Sequence, residues 1–594
     1  MIHTIARLAG LVALFCPSVL GAAVPSGYNA PEVPWKKDGL VDIRNADPHR
    51  RSYGDGCKNG PDSRHCWTGD FTLDTDMDER WPDTGKTVTY NFEITNTTLS
   101  PDGVPRMMYV VNGQYPGPTI YANWGDTIVV NVKNSLTTNG TGVHWHGMRM
   151  LGTNEMDGVS GVTECPIAPG GTKVYTFKAT QYGTSWYHSH YAVQYGEGLI
   201  GGIVINGPSS SDYDIDLGFF PFTDWFHETM FTTTARAIHQ PRQPAADNIL
   251  VNGSMTFQTG GKYAVTHLTY GKKHLLRLAN TGINNFLHVA LDGHTFTVVA
   301  ADLIPIVPFE TDSLVLAVGQ RYDVIIDACQ PVANYWFRVG TGGECDGPNK
   351  NGGNIRSIFQ YEGATSGSPN STGALLPTGC HDQEGIVPYA KTSIPQDVPE
   401  NLRLNFTQTA AKNNLVQWLI NDSSFKVNYM KPTLQSIVEG NTTFSPDMNV
   451  YDVGEAHKWQ YWVIQQGAPT PPLPHPIHLH GHDFYVLDHQ ANTTWNGDIS
   501  RLKMDNPPRR DTATLPEGGY IVIAFESDNP GIWLMHCHIP FHSATGFALQ
   551  FLEREGDIVH SLGDLGDFEQ GCKAWDPFQQ QFFPNGLLDG ESGI

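Results

Sequence analysis

Three stretches of this chain are variations on one pattern, and that repetition restricts the possible fold more than any other feature. Pro169-Gly170-Gly171 leads into VYTF and then TSWYHSH. Val318-Gly319-Gln320 leads into YDVII and then NYWFRVG, and Pro516-Glu517-Gly518-Gly519 leads into YIVIAF and then GIWLMHCH. Each is a turn, an alternating strand, a short connection and an aromatic-rich strand, followed by a further strand-like run: GLIGGIVI, RSIFQYEG and GFALQFLE. Each unit also contains an earlier strand ending in VNG (111–113), VNG (251–253) or IND (420–422). Repetition on this scale means duplicated domains. Period-two alternation between turn signals reads as β-sandwich. The expected fold is all-β: three Greek-key β-sandwich or barrel domains in tandem, near 53–208, 209–376 and 377–594.

Length and composition agree with this. At roughly 150 residues per domain, a chain of 594 residues should hold three or four units. Hydrophobic residues at 40% supply cores, and 62 glycines with 40 prolines favour a fold rich in turns. The net charge of −23 speaks against nucleic acid or an anionic membrane as a partner; solubility in an acidic medium is enough to explain it. Residues 1–23 place Arg7 before an apolar run that ends in Gly21, Ala22 and Ala23, which reads as a signal peptide too short to span a bilayer. The polar, Pro-rich segment 24–52, with Lys36-Lys37 and Arg50-Arg51, reads as a propeptide or a disordered leader. Sequons at Asn96, Asn139, Asn252, Asn370, Asn405, Asn421, Asn441 and Asn492 fit a glycosylated, secreted, extracellular protein. Loss of Cys16 with the signal leaves eight cysteines; secretion permits disulfides, but their connectivity is open at this level.

Ten of the 24 histidines fall into four clusters: His144 and His146; His188 and His190; His475, His478 and His480; and His536 and His538 with His542. On a strand, residues two apart face the same way, so each His-X-His pair can aim two imidazoles at one metal cluster. Chance could place one such pair on a surface, but not four in corresponding late parts of two repeats. The middle repeat has Arg338-Val339-Gly340 at the matching place and is expected to hold no metal. In His536-Cys537-His538 alternation sends Cys537 to the opposite face, so one strand can serve two metal sites. Cys537, His542 and a distant histidine make a His2Cys set, the ligand set of a blue-copper site. A structural zinc site would need a closed four-ligand set, often with CxxC spacing, and no CxxC occurs.

HWHG, HSH, HPIHLHGH and HCHIPFH, in this order, resemble the motifs of the multicopper oxidases, and closely those of filamentous-fungal, ascomycete-type laccases; the resemblance runs from about Cys57 to the C-terminus. It implies cupredoxin-like domains and four coppers. His475, Cys537 and His542 match the type 1 ligands, and His144 and His478 the type 2 pair. His146, His188, His190, His480, His536 and His538 match the ligands of two type 3 coppers. The implied activity is one-electron oxidation of phenolic or other aromatic donors, coupled to reduction of O2 to water between domains 1 and 3. Electrons would enter through an exposed edge of His475 or His542 and cross Cys537 to His536 and His538. Asp157 matches an acid that supplies protons near the type 2 copper; turn capping before Gly158 is the plainer role. His482 matches no ligand, and a structural hydrogen bond is expected of it. The pairings implied are Cys57–Cys66, Cys165–Cys572 and Cys345–Cys380, leaving Cys329 outside them at a strand end, where burial is expected. Residues Asp589 to Ile594 resemble the tail of the ascomycete enzymes, in which Glu591, Ser592, Gly593 and Ile594 would plug the channel to the trinuclear site. A monomer is expected.

Several positions depart from the family pattern. Ten residues after Cys537, where an axial methionine would stand, the chain has Phe547; a residue without a donor atom leaves the copper three-coordinate and implies a relatively high potential. Val416, Trp418, Leu473 and Phe541 match donor-pocket positions, with core packing as the competing role. The family often has a carboxylate to accept the phenolic proton where this chain reads Gly260-Gly261-Lys262, and Pro540 replaces the usual Ala or Asp. A ferroxidase or ascorbate oxidase is the nearest alternative, although the motifs show no acid beside His475 or His542 to bind Fe(II). A non-enzymatic copper-binding wall protein should have lost ligands, whereas all eleven positions are filled.

Overall fold

The computed structural model describes residues 57–594 apart from 241–242, 374, 397–402, 411–414, 469, 564 and 583–590. The expected signal peptide (1–23) and leader (24–52) lie outside the described residues. Six large sheets fall into three pairs, one pair per sequence repeat. In the first unit the order Arg106–Val111, Thr87–Leu99, Thr127–Asn134, Thr172–Lys178 faces the order Gly117–Asn123, Ile200–Asn206, Gly183–Ser189, Val143–Trp145. The strand Thr87–Leu99 shows why: Val88, Tyr90, Phe92 and Ile94 alternate inward while their neighbours face solvent. They meet Ile128, Val130, Val132 and Trp145 in the sandwich core.

All three units share one topology. In each, a strand of one sheet runs parallel to a later strand: Thr87–Leu99 with Thr127–Asn134, Ile215–Trp225 with Lys273–Asn280, and Arg403–Ala410 with Trp459–Gln466. A second parallel pair recurs in each facing sheet, between Gly117–Asn123 and Ile200–Asn206, Val265–Leu268 and Arg356–Tyr361, and Val450–Asp452 and Ala548–Glu553. Such long crossovers between otherwise antiparallel strands give three tandem cupredoxin-like sandwiches, as the repeats lead one to expect.

The units are stapled and salt-bridged together. The disulfides Cys57–Cys66, Cys165–Cys572 and Cys345–Cys380 are the three pairs the resemblance implied. Cys329 is only half-buried, contrary to the expected burial, because it follows the last outward-turning residue of strand Arg321–Asp327. Cys572 lies on the C-terminal helix Gly566–Phe582 and ties it to the first unit. The guanidinium of Arg149 bridges Asp78 and Asp528, and that of Arg509 bridges Asp78 and Asp483, both deep in the protein. Among the described residues no helix is long and apolar enough to cross a membrane.

Candidate metal centres

Strand pairing brings the histidine clusters together. In the third unit Gly531–Cys537 lies between His475–Leu479 and Ala548–Glu553, with His478 opposite His536 and Ile477 opposite Cys537. In the first unit Val143–Trp145 pairs with Gly183–Ser189, placing His144 opposite His188. The two sets of imidazoles then meet across the boundary between these units. The ring of His144 stacks on His480 and that of His146 on His478, each at 3.9 Å between centroids. His190 lies 5.3 Å from His536, and His188 lies 5.4 Å from His538. The rings of 536 and 538 thus share one cluster with those of 144, 146, 188 and 190.

Within this group of eight, hydrogen bonds fix which nitrogen five of the rings present. The Nδ1–H of His144 donates to the Asp157 backbone carbonyl (2.8 Å) and that of His480 to the Asp157 carboxylate (2.9 Å). Nδ1–H groups of His478, His188 and His536 donate to the carbonyls of Asp511, Ser189 and Cys537 at 2.8, 3.0 and 2.9 Å. With Nδ1 donating, Nε2 carries the lone pair. The Nε2 atoms of His144, His188 and His478 are buried and have no protein partner. Burial in turn holds the imidazoles of His146, His188, His190, His478, His480 and His538 well below the ordinary histidine range, and that of His536 down to about 4. Neutral rings with converging lone pairs and no partner are the donor set a metal cluster requires, and carboxylate or carbonyl partners on the far nitrogens are its usual support.

The second group lies on the other face of the same strand. The Cys537 Sγ is 3.7 Å from His475 Nδ1 and 3.4 Å from His542 Nδ1, and the two nitrogens are 3.1 Å apart. His542 sits on the short helix Pro540–Ser543, with Pro540 in the first turn where its missing N–H costs nothing. Burial pushes the Cys537 thiol up and the His542 imidazole down to about 3, so the uncharged forms are favoured until a metal displaces the thiol proton. Phe547 is fully buried, its ring 5.0 Å from those of His475 and Trp418, and offers no donor atom.

The remaining expected positions divide. Trp418 packs at 4.8 Å against both His475 and His542, and with Phe541 belongs to the buried core; Val416 and Leu473 are half-buried. The expected exposed histidine edge is not there: His475 has no accessible surface and His542 is 5% exposed. The side-chain amide of Gln243 contacts His542 Nε2, and Trp418 and Phe547 pack against His475. His482, as expected, makes a structural bond, Nε2 to Glu553 at 2.7 Å. The hairpin at Gly260–Gly261 closes onto the loop at Gly103, where a Cβ on Gly261 would stand 2.5 Å from the Asp102 carbonyl oxygen. At the place of the missing motif in the middle unit, Arg338 pairs with Asp292 at 2.6 Å. Ser592, Gly593 and Ile594 are buried: Ser592 donates to the carbonyls of Ala544 and Ser543, and Gly593 accepts from Ala192.

Sequence reasoning missed Gln243, Tyr195, Asp511 and Arg321. Tyr195 donates to the carbonyls of Gly282 and His538. Asp511 bonds to His146, and Arg321 to Asp511. None of these carries a metal-ligand spacing; the adjacent Arg509-Arg510-Asp511 charges were the one available hint.

Three family models, each described as multicopper oxidase, match residues 85–210, 217–364 and 399–557. The chain is 42% identical over 611 residues to a laccase of Neurospora crassa, covering 97% of this chain and 95% of that one. It is 49% identical over 455 residues to laccase-3 of Botryotinia fuckeliana, covering 73% of this chain and all (100%) of that one. The crystal structure of the laccase from Botrytis aclada superposes with a TM-score of 0.84 at 39% identity, covering 91% of this chain and 100% of that one. On the recurring sandwich, the two histidine-rich groups and these similarities together, the chain belongs to the multicopper oxidase family.

Proposed function

We propose that this protein is a secreted laccase, holding four coppers and oxidising phenolic or other aromatic donors one electron at a time while O2 is reduced to water. In this reading His475, Cys537 and His542 hold the type 1 copper. His144 and His478 hold the type 2 copper, and His146, His188, His190, His480, His536 and His538 hold the type 3 pair. The carrying observation is the strand ending at Cys537: its thiol lies with His475 and His542, while the flanking imidazoles of His536 and His538 lie with the other six rings. Copper would supply the one-electron steps at the first group and oxygen reduction at the second.

The chain's own residues supply the rest. The main chain from Cys537 to its two neighbours is an unbroken covalent path between the groups. Asp157 holds His144 through its backbone carbonyl at 2.8 Å and His480 through its carboxylate at 2.9 Å, and so orients two ligands and places an acid beside them. Trp418, Phe541 and Phe547 exclude water from the Cys537 group, and the side chain of Phe547 would offer a copper held there no further donor. Val416 and Leu473, half-buried, are the accessible part of the donor-binding surface, with Gln243 over the outer edge of His542 as the point of contact. The apolar side chains of Val416, Trp418, Leu473 and Phe541 suit an aromatic ring, and the HPIHLHGH and HCHIPFH motifs carry no acid for a ferrous ion. The middle unit holds no copper, and the segment 591–594 closes the approach to the eight-histidine group. Three disulfides accord with an oxidising, extracellular setting, and the chain acts as a monomer.

The test is an absorption scan of the copper-loaded protein together with O2 uptake on a substituted phenol. A blue protein that consumes O2 with the phenol is expected. A copper-loaded but colourless protein that consumes none would end the reading.

A further inference from the structure

The turn Val318-Gly319-Gln320 stood out in the sequence only as one copy of a repeat, in the unit that offers no ligand. In the structure, Gly319 lies against the eight-histidine group itself, and Gln320 and the following Arg321 bond to Thr512 and Asp511 beside it. Gly319, at φ +91°, lies so close that an added Cβ would stand 3.1 Å from the His538 ring and 3.2 Å from His146. Gln320 donates to the Thr512 carbonyl at 3.1 Å. Arg321 is fully buried, and its guanidinium grips Asp511 with two parallel bonds, Nη1 to Oδ1 at 2.7 Å and Nη2 to Oδ2 at 2.5 Å. Its Nε donates to the Thr184 carbonyl of the first unit, so one side chain joins all three units.

Asp511 is what makes this matter. Its Oδ1 lies 3.2 Å from His146 Nε2, and its carbonyl accepts from His478 Nδ1 at 2.8 Å. A carboxylate can only accept, so the Nε2 of His146 carries the hydrogen and Nδ1 the lone pair. That is the opposite tautomer from His144, His188, His478, His480 and His536, and it turns His146 Nδ1 toward His538 Nε2, 3.2 Å away. The fork-shaped guanidinium of Arg321 grips both oxygens of that carboxylate and so fixes where it stands against His146.

We propose that the ligand-free middle domain is a working part of the metal centre: Arg321 is a positioning residue that, through Asp511, sets the tautomer and place of His146 and steadies His478. The proposal rests on the copper assignment above. Its test is Arg321→Lys in the copper-loaded protein, with Asp511→Asn as a second variant that preserves side-chain size. Arg338→Lys serves as the control, since Arg338 pairs with Asp292 within the middle unit and its hydrogen bonds share no partner with those of Arg321. Copper content during chelator titration, the type 2 electron paramagnetic resonance signal and the blue absorption are read together. The eight-histidine group should release copper about 10- to 100-fold more readily in both variants, with an altered type 2 signal, while the blue absorption stays as in the unsubstituted chain. The control should change neither. Retention of all copper in Arg321→Lys, or equal loss from both groups, overturns the proposal. An unsubstituted chain that never binds more than one copper would contradict the assignment beneath it instead.

Discussion

Cys537 separates two roles that neighbouring side chains cannot exchange. Its sulfur is the only thiol in the group with His475 and His542, and a serine there would keep size and fold but lose the soft ligand that selects copper. Cys537→Ser should therefore lose the blue absorption and donor oxidation, with the circular dichroism of the sheets unchanged; undiminished phenol oxidation in that variant would refute the path through Cys537. The ligand candidates were legible in the sequence because a strand's period of two writes a shared face as His-X-His. Asp511, Arg321 and Gln243 were not, because each reaches its partner, a histidine or for Arg321 the Asp511 carboxylate, from a segment remote in sequence. No local spacing can encode such a contact. Burial of His475 was unreadable for the same reason: the rings packed on it, Trp418, His542 and Phe547, are 57 to 72 positions away along the chain.

Among the elements, the strands were readable from alternation and turn residues, as in Thr87–Leu99, and the recurring topology followed from the repeat. The helix Gly566–Phe582 escaped notice, although its buried positions Phe568, Cys572, Trp575 and Gln579 recur at helical spacing. Two glycines, Pro577 and a mostly polar surface blur that period. The tail at 591–594 is an element without regular structure that is held by hydrogen bonds. The Ser592 hydroxyl donates to the Ser543 carbonyl at 2.7 Å and accepts from the Ile594 N–H at 3.2 Å, beside the turn that carries His542. Ser592→Ala removes both and leaves a buried carbonyl without this donor, at a cost of about 1–3 kcal/mol. Denaturant unfolding should show that loss; an unchanged midpoint and slope would mean the tail is not seated as described.

For the whole molecule, the unit boundaries carry the function, because the eight histidines come from the first and third units and Arg321 from the second. What keeps them in place includes the Cys165–Cys572 bond, which closes a loop of 407 residues and pins the C-terminal helix to the first unit. Replacing both cysteines by alanine should lower stability by about 2–5 kcal/mol, measured as a lower thermal midpoint at equal copper loading. No shift would show that the helix is held by its buried face alone. The sequence carried the number of units and the metal-bearing ones, while their mutual docking depended on ion pairs such as Arg149 with Asp528 that no pattern announces.

Anomalous X-ray diffraction from crystals of the copper-loaded protein tests the central claim most directly. One copper should lie between His475, Cys537 and His542 and three among the eight histidines shared by the first and third units. Copper at the cysteine alone, or bound elsewhere on the chain, would contradict it.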